Sequence, residues 1–299
     1  MRVSDSKRYD VVADRVNNAK TQNEKLLGQI STQKRINALE DDPLGFSTVI
    51  SLKNDSSNKR QFQRNIDFGK GYLENTEAAV TTLSDKLIRA KELAIGMAND
   101  TYAQGSRDAV SKEIDEIMNE IMSLGNASFN NRYLFSGFRT RTPAFASEGE
   151  FVGDDGQIFL PIGRNDFRQV NIPGRLLFEP NADERASGHM NLLESLRVLR
   201  DGLEANDKET IHNSIDEMDF HLEKVTSTQA TIGAMHSSLQ KASERLLFEE
   251  EQTEKMRSTI EDADIYRSSS DFKKSESVLQ STLLTSNKLL QPSLLNFMQ

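Results

Sequence analysis

From residue 62 to residue 97 a seam of apolar and small residues steps by four and three without losing register. It runs Phe62, Ile66, Gly69, Leu73, Thr76, Val80, Leu83, Leu87, Ala90, Ala94 and Met97. A second run repeats the pattern at Val110, Ile114, Ile117, Ile121 and Leu124. A third follows at Ile211, Ile215, Met218, Leu222 and Val225, continuing through Ile232, Leu239 and Leu246. This heptad spacing specifies helices packed side by side at shallow angles, each burying one narrow stripe. A single helix from Pro43 to Ala98 would be roughly 80 Å long at ~1.5 Å per residue. The expected fold is therefore mainly α, an elongated antiparallel helical bundle or coiled-coil rod. Narrow stripes also account for the composition: 36% hydrophobic and 28% charged residues, no Trp, and a mean hydropathy of -0.59.

The seams are interrupted in two ways. In "RINALEDDPLGF", residues 35–46, Asp42 precedes Pro43: an Asp that caps and a proline suited to the first helical position. Proline also disfavours helix at the residue before it, so any earlier helix ends sooner. The stretch joins a terminal helix to the long one. The other interruption is compositional. Four of the six prolines (Pro143, Pro161, Pro173, Pro180) and seven of the fifteen phenylalanines fall between 135 and 180. "FVGDDGQIFLPIG" reads as a hairpin turning at Asp154-Asp155-Gly156, and "FRQVNIPGRLLF" as a further strand and a Pro-Gly turn. An insert of this kind adds nothing to the heptad seams and is expected to be removable without unfolding the rod. "NDTYAQGSRD" is the turn after the first long helix, with Ser106 as cap of the next.

Both chain ends are amphipathic. One seam is Val12, Val16, Ala19, Asn23, Leu26 and Ile30; the other is Leu279, Leu283, Ser286, Leu290, Leu294 and Phe297. Neither stripe is buried by its own helix, and an isolated helix is marginal in water. The ends are expected to fray in the monomer and to pair on assembly. The expected organisation is a terminal coiled-coil segment and linker (1–42), rod helices (43–137), a β-rich outer insert (138–180), returning rod helices (181–260) and a C-terminal coiled-coil segment (261–299).

Little chemistry is encoded. The charge of -9 leaves no basic excess for nucleic acid or an anionic membrane. With no cysteine there is no thiol nucleophile, disulfide or zinc thiolate. No apolar window approaches a membrane span, and the first residues lack a signal-peptide core. Glu40, Asp41 and Asp42 suit capping better than a cation. Asp154 and Asp155 lack the closing Glu of a calcium loop. His212, His221 and His236 are too widely spaced for a helical metal pair, and His236 falls on the seam as a core polar residue. Gly69-Lys70-Gly71 lacks the rest of a phosphate loop. No cofactor, metal or catalytic group is expected, and an assembly protein or adaptor is favoured over an enzyme.

Three stretches carry a family resemblance. "RINALEDDPLG", "RAKELAIGMANDT" (89–101) and "STIEDADIY" (258–266) resemble, in the same order, elements of bacterial flagellins and their hook–filament junction relatives. "NNRYLFSGFRTRTPAF" (130–145), "QFQRNIDFGKGYLENTEAAV" and the 152–174 insert resemble the junction branch; the finish, "LLQPSLLNFMQ", resembles a flagellin tail. The resemblance implies an inner coiled coil of both terminal helices, a surrounding layer of rod helices and an outward insert. It also implies a structural role at the hook–filament junction: a ring of copies between the hook-side junction protein and the first flagellin subunits, outside the cell. Export through the flagellar type III channel follows from it, with a cytoplasmic chaperone on the C-terminal helix. A filament subunit and a cytoplasmic coiled-coil adaptor are the alternatives.

Overall fold

The computed structural model describes residues 2–98, 104–146 and 149–290. In chain order its elements are α1 (Arg2–Thr32), α2 (Pro43–Met97), α3 (Gln104–Gly125), β1 (Ser128–Phe129), β2 (Arg132–Tyr133), β3 (Phe159–Pro161) and β4 (Phe167–Gln169), then α4 (Gly174–Phe178), α5 (Ala182–Ala186), α6 (Leu192–Ala205), α7 (Lys208–Glu261) and α8 (Ile265–Leu290). Long helices dominate. The two sheets are single antiparallel hairpins, β1–β2 and β3–β4. The chain divides into two compact units, residues 1–58 with 248–299 and residues 59–247.

In the 59–247 unit the α2 seam from Ile66 to Met97 is buried throughout. Phe62 packs half-buried against it. Ile114, Ile117 and Ile121 of α3 join the same cluster. α2 and α7 run antiparallel: Gln63 Nε2 donates to Ser243 Oγ (2.8 Å), Lys70 to Gln240 (2.6 Å), and Lys91 pairs with Asp219. On α7 the deepest apolar positions recur every seven residues, Ile211, Met218, Val225, Ile232, Leu239 and Leu246. Between them Ser214, His221, Thr228 and Ala242 go inside, while Ile215 and Leu222 lie half-buried against the cluster. The two hydroxyl residues are tolerated there because they bond to the helix itself: Ser214 Oγ to Thr210 O and Thr228 Oγ1 to Lys224 O, both 2.8 Å. His236 is not in the seam. It stands half-exposed 3.7 Å from Glu74, one residue past Met235.

α6, which the sequence reading merged with the returning helices, is a separate element packed on α3. Asn191 caps it by accepting from Glu194 N (2.8 Å), and Asn206 ends it in the left-handed region at φ 57°. α3 begins at Gln104, so Ser106 lies inside the first turn and does not cap it.

The insert also departs from expectation. The β3–β4 turn lies at 163–165, where Ile162 N donates to Asp166 O (2.9 Å). Asp154-Asp155-Gly156 is instead a tie: Asp154 Oδ1 accepts from Phe138 N (2.7 Å) and Gly156 N (2.9 Å). Phe145 packs edge-on against Phe151 and Phe178, at 5.5 and 4.8 Å between ring centroids. Val170, Ile172 and Phe178 belong to the same cluster as the α2 seam. Gly69 makes this approach possible, since a Cβ there would stand 3.1 Å from both Leu239 Cδ1 and Val170 Cγ1. The insert is thus part of the core.

Candidate functional site: the paired chain ends

Nothing in the described residues offers a catalytic centre. No group of three His, Cys, Asp or Glu residues among them could hold a metal ion. No helix among them is long and apolar enough to cross a membrane. His221 is buried with Nε2 3.0 Å from Ser195 Oγ. Ser195 Oγ also bonds to Asn191 O (2.9 Å), a structural arrangement at the start of α6. Burial, reinforced by the Lys224 charge and by His189, pushes the His221 imidazole down to about 3, so it stays neutral.

The sequence's other candidates lie in the 1–58 and 248–299 unit. α1 and α8 pack antiparallel. Ala263 N donates to Gln33 O (3.0 Å) at one end, and Val12 and Ala19 share a groove of about 630 Å³ with Thr282 and Ser286 further along. On α1, Val12, Val16 and Ile30 are half-buried and Leu26 is buried. On α8 the residues turned inward are mostly small or polar: Ser268 and Ser286 are buried and Ser275 and Thr282 half-buried, with Phe272 and Leu279 half-buried among them. Leu283 is 45% exposed, as are Val278 and Leu284 to a greater degree. The side chain of Leu290, and Leu294 and Phe297 altogether, lie outside the described residues. Apolar surface therefore remains on the pair after the two helices have met. Asn23, in the α1 seam, has its Nδ2 enclosed without a hydrogen-bond partner.

Where the pair meets the longer helices, two of the quoted stretches touch. α2 begins at Pro43, and Asp42 Oδ1 accepts from Gly45 N (2.9 Å), the expected cap. Gly45 lets these side chains close in, since a Cβ there would fall 2.7 Å from Ile36 Cδ1 and 2.5 Å from Asp42 Oδ2 and push one of them aside. Ile36 and Val49 are both buried. Asp41 accepts from Lys25 Nζ (2.8 Å), Asn37 N (3.0 Å) and Ala38 N (3.1 Å), and these bonds, the Lys25 one foremost, hold its carboxyl below the usual range. Glu261 O accepts from Arg35 N (2.7 Å), and Arg35 Nη2 donates to Ile260 O (2.8 Å). The Glu261 side chain is only 3% exposed and takes three cations: Lys53 (2.7 Å), Lys34 (2.9 Å) and Arg257 (2.5 Å). Burial alone would raise this carboxyl. The bonds from Lys53, Lys34 and Arg257 outweigh it and hold the group at about 2. The sequence reading missed this cluster. Its only signal was that the first of these stretches opens on an arginine and the second carries three acids.

The residues match two family descriptions: residues 7–140 the bacterial flagellin N-terminal helical region, and residues 215–298 the bacterial flagellin C-terminal helical region. The flagellar filament core protein flaB2 of Brachyspira hyodysenteriae is 23% identical over 259 residues, 86% of this chain and 85% of its own. Flagellar hook-associated protein 3 of Salmonella typhimurium is also 23% identical, over 80% of this chain and 81% of its own. Among solved structures, a flagellar hook-associated protein from Vibrio parahaemolyticus superposes with a TM-score of 0.68 at 20% identity, covering 74% of this chain and 100% of that one. The flagellar junction protein FlgL from Legionella pneumophila does so at 0.57 and 15%, covering 71% and 100%.

Proposed function

The chain belongs to the bacterial flagellin family and is a structural protein of the flagellum rather than an enzyme, and from that premise we propose that it forms the junction ring between hook and filament. The observation that carries an assembly role is the α1/α8 pair. It leaves Val278, Leu283 and Leu284 in water and encloses an unsatisfied Asn23 amide. Large apolar side chains left in water on a helix pair that buries few others support contacts with other chains. A ring of copies supplies such contacts. The neighbours along the flagellum are then the hook-side junction protein on one side and flagellin on the other. Export runs through the flagellar type III route, with a cytoplasmic chaperone covering the C-terminal helix beforehand.

The junction is favoured over the filament by residues 130–145. In the structure these supply β2 and the buried Leu134 and Phe135 that anchor the insert. A filament subunit is the second reading, and it draws on the similarity to flaB2 across 86% of the chain. Immunogold labelling of isolated flagella separates them. The junction reading expects a single band at the distal end of the hook, and flagellin shed unattached when the protein is removed. Label along the whole filament establishes the second reading, and protein confined to the cytoplasm removes both.

A further inference from the structure

Glu261 gathers cations from three parts of the chain: Lys34 from the segment leaving α1, Lys53 from α2 and Arg257 from the last turns of α7. Lys34 and Lys53 share one carboxylate oxygen, Oε1, and Arg257 takes the other. The remaining charges are already engaged. Arg257 also bonds to Glu254, Arg35 stands 3.6 Å from Asp42, and Asp262 accepts from Ser258 Oγ (2.6 Å). The apolar backing of the joint is thin. In the described part of this unit the buried hydrophobic side chains are Leu26, Ile36 and Val49. The backbone ties of the joint, Arg35 N to Glu261 O and Ala263 N to Gln33 O, flank the same residue. The Glu261 carboxylate therefore holds Lys34 and Lys53 and shares Arg257 with Glu254, with little hydrophobic contact to take over if its charge is lost.

We infer that Glu261 is a charge-operated latch for the chain ends: its ionised carboxylate binds the segment after α1, the start of α2 and the end of α7 into one joint, and neutralising it frees that joint and the α1/α8 pair while residues 59–247 stay folded. The latch deepens the assembly reading and rests on it only for its purpose, which is to hold the two ends in register until a neighbouring chain takes them. Without the charge, Lys34 and Lys53 lose the oxygen they share and face each other beside Arg257, which Glu254 still pairs, and the loop from Gln33 to Asp42 loses its anchor.

The test is amide hydrogen exchange on the purified full-length chain at neutral pH, comparing wild type, E261Q and E261D. E261Q is expected to speed exchange in residues 33–42 and 257–268 by about tenfold or more, with residues 66–97 and 211–246 unchanged. E261D keeps the charge on a shorter stem and is expected to fall between the two. Unchanged exchange in E261Q overturns the latch, and so does an equal acceleration throughout 59–247, which would make Glu261 an ordinary core residue. K53M, which removes one of the three cations, gives a milder version of the same comparison should E261Q fail to fold. Immunogold labelling of wild-type flagella reads the assembly role separately: a latch seen by exchange in a protein absent from flagella keeps the device and removes its proposed purpose.

Discussion

Each of the two units owes its internal cohesion to different physics. In residues 59–247 a continuous apolar cluster runs through α2, α3, α6, α7 and the insert, and its large side chains are sealed from water. In residues 1–58 and 248–299 the inward residues are mostly serine, threonine and half-buried valine, and the firmest element is a carboxylate ringed by cations. Burial at roughly 25 cal/mol per Å² of apolar surface stabilises the first in isolation. The second gains little from that source. A helix pair with a small polar seam and apolar flanks left in water is half of an interface. The difference teaches that one unit is built to fold and the other to be completed by neighbours.

The severest challenge to this contrast is deletion of residues 142–178 with a short Gly-Ser link. Because Phe145, Val170, Ile172 and Phe178 belong to the central cluster, the deletion is expected to abolish cooperative thermal melting of the 59–247 unit. A deletion variant that still melts cooperatively would show the insert to be separable, as the sequence alone suggested. Next in size, Leu83→Ala is expected to cost about 2–5 kcal/mol in chemical denaturation, through a cavity in the α2 seam.

Acid should affect the two units over different ranges. His221 is neutral in the fold and titrates at 6.5 when unfolded, so its native pKa of about 3 gives stability that is complete above 6.5 and lost as pH falls towards 3. The groups around it are Ser195, Lys224, His189 and Glu184. Glu261, held at about 2 against an ordinary 4.5, contributes stability present above 4.5 and lost as pH falls towards 2. His221→Leu should therefore flatten the acid side of the 59–247 melting profile, an effect on the order of 3 kcal/mol at pH 4. Ser195 keeps its bond to Asn191 O in that variant. A profile unchanged by the substitution would mean that other groups set the acid limit. The smallest effect on the monomer is expected from Leu283→Asp. At 45% exposure the change should stay within ~0.5 kcal/mol in denaturant, while incorporation at the junction, scored by immunogold, is lost. Normal incorporation would take Leu283 out of the assembly surface.

How much of this was legible follows from what each signal depends on. The α2 seam could be read because every position from Ile66 to Met97 is apolar or small and the period is unbroken. On α7 the period was right, but polarity misled at alternate steps. Ser214 and His221 go inside where the apolar pattern points to Ile215 and Leu222, since a sequence does not show that the Ser214 hydroxyl bonds to its own helix or that His221 meets Ser195 of α6. The insert was located by its prolines and phenylalanines, yet its hairpin turn was misplaced. Asp154 looks like a turn residue and in fact ties Phe138 to Gly156. The Glu261 cluster was invisible because its members are scattered through the chain and only the folded joint brings them together.

That joint also bears on the order of folding. Arg35 and Ile260, which it bonds together, are 225 residues apart in the chain. Closing so long a loop from an unfolded chain costs about 5 kcal/mol in entropy before any contact repays it. Once α2 and α7 have zipped antiparallel, as the Gln63–Ser243 bond requires, most of that loop is already closed and the remaining search is short. The ends should accordingly be the last part of the molecule to form, and the first to come undone when it is pulled or threaded by either terminus.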